Sequence, residues 1–232
     1  MIRSFTFAGK DLYKDFGCFV DGYEDGTPQK KTIKASVPYR SGSLDFSELY
    51  GEATYDDRPV KYTVDVVEDD EKRLEISKMA IRDWLLGAPK GEIVDNALPG
   101  YHYVGKCIDV SGTDEIEKST LTIAFECYPF KIKDEIEGDI IWDDFCFLTD
   151  VWNTVAYNVE FGSQDAVIYN SGISSVYADI EVTGNISINH EKIQKDWTSG
   201  RYIGAYLMRR GENKFTIDGN GSVKFLFNVE KI

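Results

Sequence analysis

The feature that most constrains this chain is a two-residue alternation of apolar and polar side chains that recurs along its 232 residues. Val60, Tyr62, Val64 and Val66 alternate with Lys61, Thr63 and Asp65; Leu121, Ile123, Phe125 and Cys127 alternate with Thr120, Thr122 and Glu126. The pattern returns in Val155, Tyr157, Val159 and Phe161, in Ile180, Val182, Ile186 and Ile188, and in Val223, Phe225, Phe227 and Val229. A strand sends successive side chains to opposite faces, so each run predicts a strand with one face on a core and one in water. Parallel strands are buried on both faces, so these one-sided runs predict antiparallel sheets. The 14 Tyr and 13 Phe agree, because large aromatics fit a pleated, half-buried surface.

One helix is expected, over Glu71–Gly87, where Leu74, Met79, Ile81 and Leu85 fall near one side. The run Glu68-Asp69-Asp70-Glu71 stands at its start, where the helix dipole favours negative charge, and Gly87 is placed to end it. Leu98-Pro99-Gly100 is a turn signal between two strands in residues 91–110. Near the end, Asp218-Gly219-Asn220-Gly221 reads as the tip of a hairpin joining residues 214–218 to residues 222–230. The charged stretch 131–138 follows a complete strand-helix-strand set, which predicts two domains, residues 1–134 and residues 135–232. The fold class expected is mainly β.

Charge narrows the function. The net charge is -14, with 18 basic and 25 acidic residues in 1–134 and 8 and 15 in 135–232, so each part carries -7. Gripping a phosphate backbone needs a basic stripe that displaces counterions, and an evenly acidic surface argues against it. An acidic channel lining would instead let DNA pass without sticking. No stretch approaches the ~20 apolar residues of a membrane span, and no membrane insertion is expected. Met1-Ile2-Arg3-Ser4-Phe5 lacks the basic start and apolar run of a secretory leader. Cys18, Cys107, Cys127 and Cys146 are widely spaced with no CxxC, which favours reduced thiols.

Motifs that carry chemistry are missing. His102 and His190 stand alone, without the spacing of a zinc site, and there is no nucleophile elbow or phosphate-binding loop. Asp218-Gly219-Asn220-Gly221-Ser222 echoes a calcium loop, yet Val223 stands at the glycine position and Val229 at the position of the bidentate glutamate. Asp143 and Asp144 beside Trp142 fit a glycosidase only if a groove sets their separation. Trp142, Trp152 and Trp197 fit either a sugar platform or core packing. The expectation is no catalytic residue, no cofactor and no metal.

Several segments resemble the distal tail proteins of siphoviruses, the long-tailed bacteriophages, including prophages. Arg40-Ser41-Gly42-Ser43-Leu44-Asp45 leads to Leu49-Tyr50-Gly51, Tyr55 and Arg58 before the strand at Val60. Trp84-Leu85-Leu86-Gly87, Pro99-Gly100-Tyr101-His102-Tyr103 and Cys127-Tyr128-Pro129-Phe130 follow in the family's order. Tyr169-Asn170-Ser171-Gly172, the strand from Ile180 and Gly211-Glu212-Asn213-Lys214 extend the resemblance to the end of the chain. It implies an N-terminal β-sandwich with one helix that closes into a hexameric hub ring around a DNA channel, with no specific DNA binding. It also implies a C-terminal galectin-like β-sandwich outside the ring. Such a protein is a virion component, made in the host bacterial cytoplasm. It joins the tail tube to the tip or baseplate and docks tail-associated and receptor-binding proteins. Arg40, Asp45 and Arg58 are then candidates for charge-assisted bonds between subunits, with bracing of their own turn as the alternative. The other functional readings are a carbohydrate-binding adhesion module and, third, a glycan hydrolase.

Overall fold

The computed structural model describes residues 2–49, 51–114, 118–138 and 151–232. Two compact units emerge, residues 1–132 together with Ile232, and residues 133–231. Both are mainly β with antiparallel pairing.

The first unit is built from β1 (Phe5–Phe7), β2 (Lys10–Asp11), α1 (Leu12–Phe16), β3 (Phe19–Asp25), β4 (Lys34–Ser36), β5 (Ser43–Asp45), β6 (Arg58–Val67), α2 (Glu71–Gly87), β7 (Gly91–Asp95), β8 (Tyr101–Asp114) and β9 (Lys118–Cys127). Seven of these strands form one sheet in the order β2-β1-β7-β8-β9-β6-β3. The alternation fixes which face is inside: Val60, Tyr62, Val64 and Val66 on β6 and Leu121, Ile123, Phe125 and Cys127 on β9 are all buried. The sheet rolls up. β1 and β6 stand four places apart, about 19 Å in a flat sheet, yet the rings of Phe5 and Tyr62 lie 4.6 Å apart. Ahead of β1, the Arg3 carbonyl accepts from the Val20 amide on β3 at 2.9 Å, so the two ends of the sheet nearly meet.

Helix α2 covers the rolled sheet with Leu74, Lys78, Ile81, Trp84 and Leu85, and the Trp84 Nε1–H donates to the Phe7 carbonyl at 3.0 Å. Burying one Leu or Ile side chain of this kind contributes about 1.5–3 kcal/mol. Two details differ from expectation. Met79 is 56% exposed, and Lys78 takes the inward position, its apolar stem covered and its ammonium bonded to Glu75 and Asp114 at 2.6 Å each. Gly87 remains helical; the helix ends because Ala88 is extended (φ -82°, ψ 142°) ahead of Pro89, whose ring disfavours a helical predecessor. A second, five-residue helix, α1, was not expected. Asp11 caps it by accepting from the Tyr13 and Lys14 amides, and Gly17 closes it at φ 69°.

The second unit follows the short strand β10 (Lys131–Lys133) and holds β11 (Ala156–Asn170), β12 (Val176–His190), β13 (Ile193–Met208) and β14 (Gly211–Leu226), paired in the order β11-β14-β12-β13. The expected hairpin at Gly219-Asn220-Gly221 is not formed. β14 runs straight through it, paired to β12 from Leu226 to Phe215. Those glycines fold the sheet over instead. Phe215 and Phe225 are ten residues apart, about 33 Å along a straight strand, but their ring centroids lie 4.8 Å apart. Such a distance requires the four strands to bend back on themselves into two layers around one core, the arrangement of a sandwich. Gly184 (φ 86°) on β12 faces Gly221 across the bend, and a Cβ on Gly221 would sit 2.1 Å from the Thr183 carbonyl oxygen. On β11 the alternation slips one residue after Val159, leaving Phe161 at φ 48° and 89% exposed rather than inward. Two buried asparagines tie the turns. Asn213 accepts from the Arg209 amide at 2.8 Å and donates to the Arg209 and Gly211 carbonyls; Asn170 accepts from the Gly172 amide and donates to the Ser174 and Met208 carbonyls.

Candidate assembly surface

Between β3 and β6 the chain leaves the rolled sheet as a two-stranded arm. Its base is zipped by Asp56 N–H to the Gln29 carbonyl and Lys31 N–H to the Thr54 carbonyl, both 2.8 Å, and by Tyr55 packed edge-on to Phe130 at 5.2 Å. The ladder continues through Phe46 N–H to the Ile33 carbonyl at 2.8 Å and then through Lys34↔Asp45, Ala35↔Leu44 and Ser36↔Ser43. The tip turns with Tyr39 at φ 62° and Gly42 at φ 81°. β4 and β5 form a sheet of their own, separate from the rolled sheet.

The register gives this ribbon two unlike faces. Pairing of residues 33 with 46 and 35 with 44 puts Ile33, Phe46, Ala35, Leu44 and Val37 on one side; Lys34, Asp45, Ser36 and Ser43 lie on the other. Ile33, Val37 and Phe46 are exposed, as are Tyr39 and Leu49. An isolated two-stranded hairpin is marginal in water; it needs a third strand or a helix against its apolar face. Residues 30–40 carry Lys30, Lys31, Lys34 and Arg40 with no acidic residue, and the returning strand answers them: Lys30 meets Glu48 at 4.0 Å, Lys31 meets Asp56 at 3.7 Å, and Lys34 pairs in register with Asp45. The sequence held this signal, alternation at Ile33, Ala35, Val37 and Tyr39, but nothing in it says that such a strand stays outside the core.

Of the three residues singled out for subunit contact, two lie on this arm. Arg40 is exposed at the tip. Asp45 is exposed on β5, where the Ser47 hydroxyl and amide both donate to it and hold its carboxyl below the usual range. Arg58 is elsewhere. It is 1% exposed at the start of β6, bonded to Asp25 at 3.0 Å, with its guanidinium 5.8 Å from the Tyr103 ring centre. Lys131 meets the same carboxylate at 2.6 Å. Within its own unit these contacts tie the start of β6 to Asp25 at the end of β3. Nearby, Asp95 accepts from Arg3 and Tyr62, and the hydroxyls of Tyr23 and Tyr103 share a 2.6 Å bond. Burial raises the Tyr62 and Tyr103 hydroxyls far above the usual tyrosine range, so they stay neutral.

Candidate chemistry gathers nowhere among the described residues. No group of three or more His, Cys, Asp or Glu there is arranged to hold a metal. Cys18, Cys107 and Cys127 are free, and burial pushes their thiols up to about 11, 11 and 12 respectively. A thiol so protonated is a poor nucleophile at neutral pH. His190 stacks on Phe215 at 4.3 Å and has Nδ1 3.0 Å from the Lys214 carbonyl oxygen. Trp197 lies against Tyr202 at 4.5 Å and donates from Nε1 to the Tyr206 hydroxyl at 2.9 Å, so it packs rather than presenting a free sugar platform. Trp142, Asp143, Asp144, Cys146 and Tyr50 lie outside the described residues.

No protein-family model matches the chain, and no curated protein matches it in sequence. A solved structure does. The crystal structure of the Dit protein of phage SPP1, a paradigm of the hub adsorption apparatus in phages infecting Gram-positive bacteria, aligns with a TM-score of 0.69 over 98% of this chain and 99% of that one, at 12% identity. The resemblance to distal tail proteins in the sequence thus has a counterpart in three dimensions: over nearly its whole length, this chain has the fold of the SPP1 Dit protein.

Proposed function

We propose that this chain is a structural protein of a phage tail, a hub that joins the tail tube to the tip or baseplate. The observation that carries the reading is the fold it shares with a hub adsorption protein across 98% of its length. On this reading the N-terminal unit closes into a hexameric ring through head-to-tail contacts, with the arm, including Arg40 and Asp45, at the subunit boundary. Such contacts close when each rotation brings one surface of a copy onto a different surface of the next. The ring surrounds a channel through which DNA passes without specific binding, in keeping with the net charge of -14. The C-terminal sandwich docks tail-associated and receptor-binding proteins, and the protein itself is not catalytic. Its site of action is the virion tail.

Sedimentation with negative-stain imaging tests the ring. Six-membered rings are the expected result; a monomer at every accessible concentration overturns it. Copies carrying -14 repel one another, and salt at about 0.1 M screens exposed charges beyond ~10 Å, so the ring is expected to persist or strengthen as salt rises to physiological strength. Arg40→Glu is expected to weaken it while leaving the thermal midpoint unchanged. Two separable domains meeting within residues 131–138 are also part of the reading. Limited proteolysis is expected to release a stable C-terminal fragment cut in that stretch, and digestion without any such fragment counts against it.

A further inference from the structure

Strand β13 is an open edge. It stands last in the order β11-β14-β12-β13, and among the described residues only β12 pairs with it. The hairpin that joins these two strands fixes which backbone groups are free. Glu191 (φ 50°) and Lys192 (φ 67°) make a two-residue turn, closed by His190 paired with Ile193. In such a hairpin the closing pair exchanges both backbone hydrogen bonds, and the direction then alternates along the strand. The register runs unbroken from His190↔Ile193 to Asn185↔Thr198. Ile193, Lys195 and Trp197 therefore turn their N–H and C=O toward β12, while Gln194, Asp196 and Thr198 turn theirs to the open side. The Thr198 carbonyl accepts from the Tyr202 hydroxyl at 3.1 Å, in keeping with that direction. The backbone donors and acceptors of Gln194 and Asp196 remain open.

The same register places the side chains. Ile193, Lys195 and Trp197 lie opposite His190, Ile188 and Ile186 and share their face, the one turned to the core. Ile186 and Ile188 are buried there, yet Ile193 is 60% exposed and Lys195 is exposed too, so the core opens along β13. The Lys195 ammonium stands 6.0 Å from the Trp197 ring centre and 5.7 Å from that of Tyr206, and it meets no carboxylate among the described residues. A lysine on the core side of an edge strand guards against indiscriminate pairing. A strand that brings a carboxylate opposite Lys195 meets no such obstacle, and its apolar side chains cover Ile193.

We propose that residues 193–198 of β13 accept an extended segment of a partner protein as an added strand, with a carboxylate opposite Lys195 and apolar side chains opposite Ile193 and Trp197. Main-chain bonds to Gln194 and Asp196 hold the segment, and the core-side row reads its sequence. The inference rests on the reading that the C-terminal sandwich docks other tail proteins, and it names the mode. A second copy of this chain is the poorer occupant. The two antiparallel registers that overlap the run most fully set Lys195 against Lys195 or Asp196 against Asp196, and like charges directly opposite are destabilising.

The test uses the full chain and a capped heptapeptide, Thr-Val-Thr-Glu-Thr-Val-Thr, whose Val-Glu-Val face matches Trp197, Lys195 and Ile193 when it runs antiparallel. Amide hydrogen exchange is the readout. At millimolar peptide the Gln194 and Asp196 amides are expected to slow, while those of Lys195 and Trp197, already bonded to β12, stay unchanged. Replacing the peptide's Glu by Lys is expected to weaken binding at least about threefold, the worth of one cross-strand charge pair. Lys195→Glu, at an exposed position, is expected to reverse that preference. Asp196→Pro is expected to abolish binding and keep the thermal midpoint, since an open edge tolerates a proline whose missing N–H faced solvent. Unslowed Gln194 and Asp196 amides, or equal binding of both peptides by the parent, overturn the inference. Slowing at these amides on raising the protein concentration without peptide names a second copy as the occupant and also overturns it. An unresponsive edge in a chain that forms rings sinks this inference alone; a responsive edge in a chain that forms none keeps the strand site and sinks the hub.

Discussion

Replacing Gly221 by valine is expected to prevent the C-terminal unit from folding, with a loss of at least about 4 kcal/mol, in the range reserved for a few severe mechanisms. The cause is the bend in the sheet. At this point β12 and β14 cross so closely that a Cβ on Gly221 falls 2.1 Å from the Thr183 carbonyl oxygen and 3.1 Å from Gly184 Cα. The obstructing atoms are backbone in a paired strand and cannot swing aside. Gly184→Val meets the same difficulty from the other strand, with a Cβ 2.4 Å from the Asn220 carbonyl oxygen, and adds the strain of φ 86°. Asn220 is exposed between the two glycines, and Asn220→Ser is expected to stay within about 0.5 kcal/mol. Near-ultraviolet circular dichroism and urea unfolding of the full chain read the effect. Gly221→Val unfolding at the parent's midpoint would mean that the close crossing does not hold the two layers together.

That bend also shows where the sequence stops informing. Asp218-Gly219-Asn220-Gly221 announces unusual backbone, and the announcement is right: Gly219 adopts φ 124°. Whether the chain reverses there or folds as part of a sheet depends on what stands opposite. The answer is Gly184, 37 positions away, which no local signal can reveal. Strands β6 and β9 were legible because one face lies on a core, so burial imposes alternation. Helix α2 was legible in extent for the same reason. Met79 was expected inward, but Lys78 takes that side because burial acts on its stem, while Glu75 and Asp114 hold the ammonium at the edge. Helix α1 is too short for a periodic signature, and only its caps, Asp11 and Gly17, mark it. The arm is the most instructive case. It has the alternation of a core strand, but Ile33, Val37 and Phe46 on its apolar face are exposed among the described residues, so the pattern identifies a strand without identifying its use. Arg40 and Arg58 look alike in sequence, eighteen positions apart, and only the fold separates an exposed side chain at the tip of the arm from one buried beside Asp25.

The second large effect is expected at Asp95, whose side chain is fully buried at the end of β7. Its carboxylate accepts from Arg3 Nη2 at 2.6 Å, Arg3 Nε at 3.2 Å, the Tyr62 hydroxyl at 3.2 Å and the Ala97 amide at 2.9 Å. These bonds join the segment before β1, the end of β7 and the middle of β6, three places that must come together for the sheet to roll. Asp95→Ala removes the carboxylate and strands three donors, the Arg3 guanidinium, the Tyr62 hydroxyl and the Ala97 amide. The Tyr62 hydroxyl is then buried without its partner, at a cost of about 1–3 kcal/mol. Arg3 keeps part of its hydration, because its side chain is 29% exposed, and the Tyr23 ring 3.7 Å away, so its loss is smaller than that of a fully enclosed cation. Removing one member of a buried pair commonly costs about 3–5 kcal/mol, and the lower part of that range applies here. Asp95→Asn preserves the shape and one acceptor oxygen, and is expected to lose less. Tyr62→Phe alone is expected to cost about 1 kcal/mol, the worth of one hydrogen bond. The decisive comparison is the double variant Asp95→Ala with Tyr62→Phe: because the two groups meet directly, its loss is expected to fall short of the sum of the single losses by at least about 0.5 kcal/mol. Urea unfolding followed through the N-terminal tryptophan, Trp84, measures all four proteins. Strict additivity, or an Asp95→Ala variant as stable as the parent, would show that this carboxylate does not hold the rolled sheet closed.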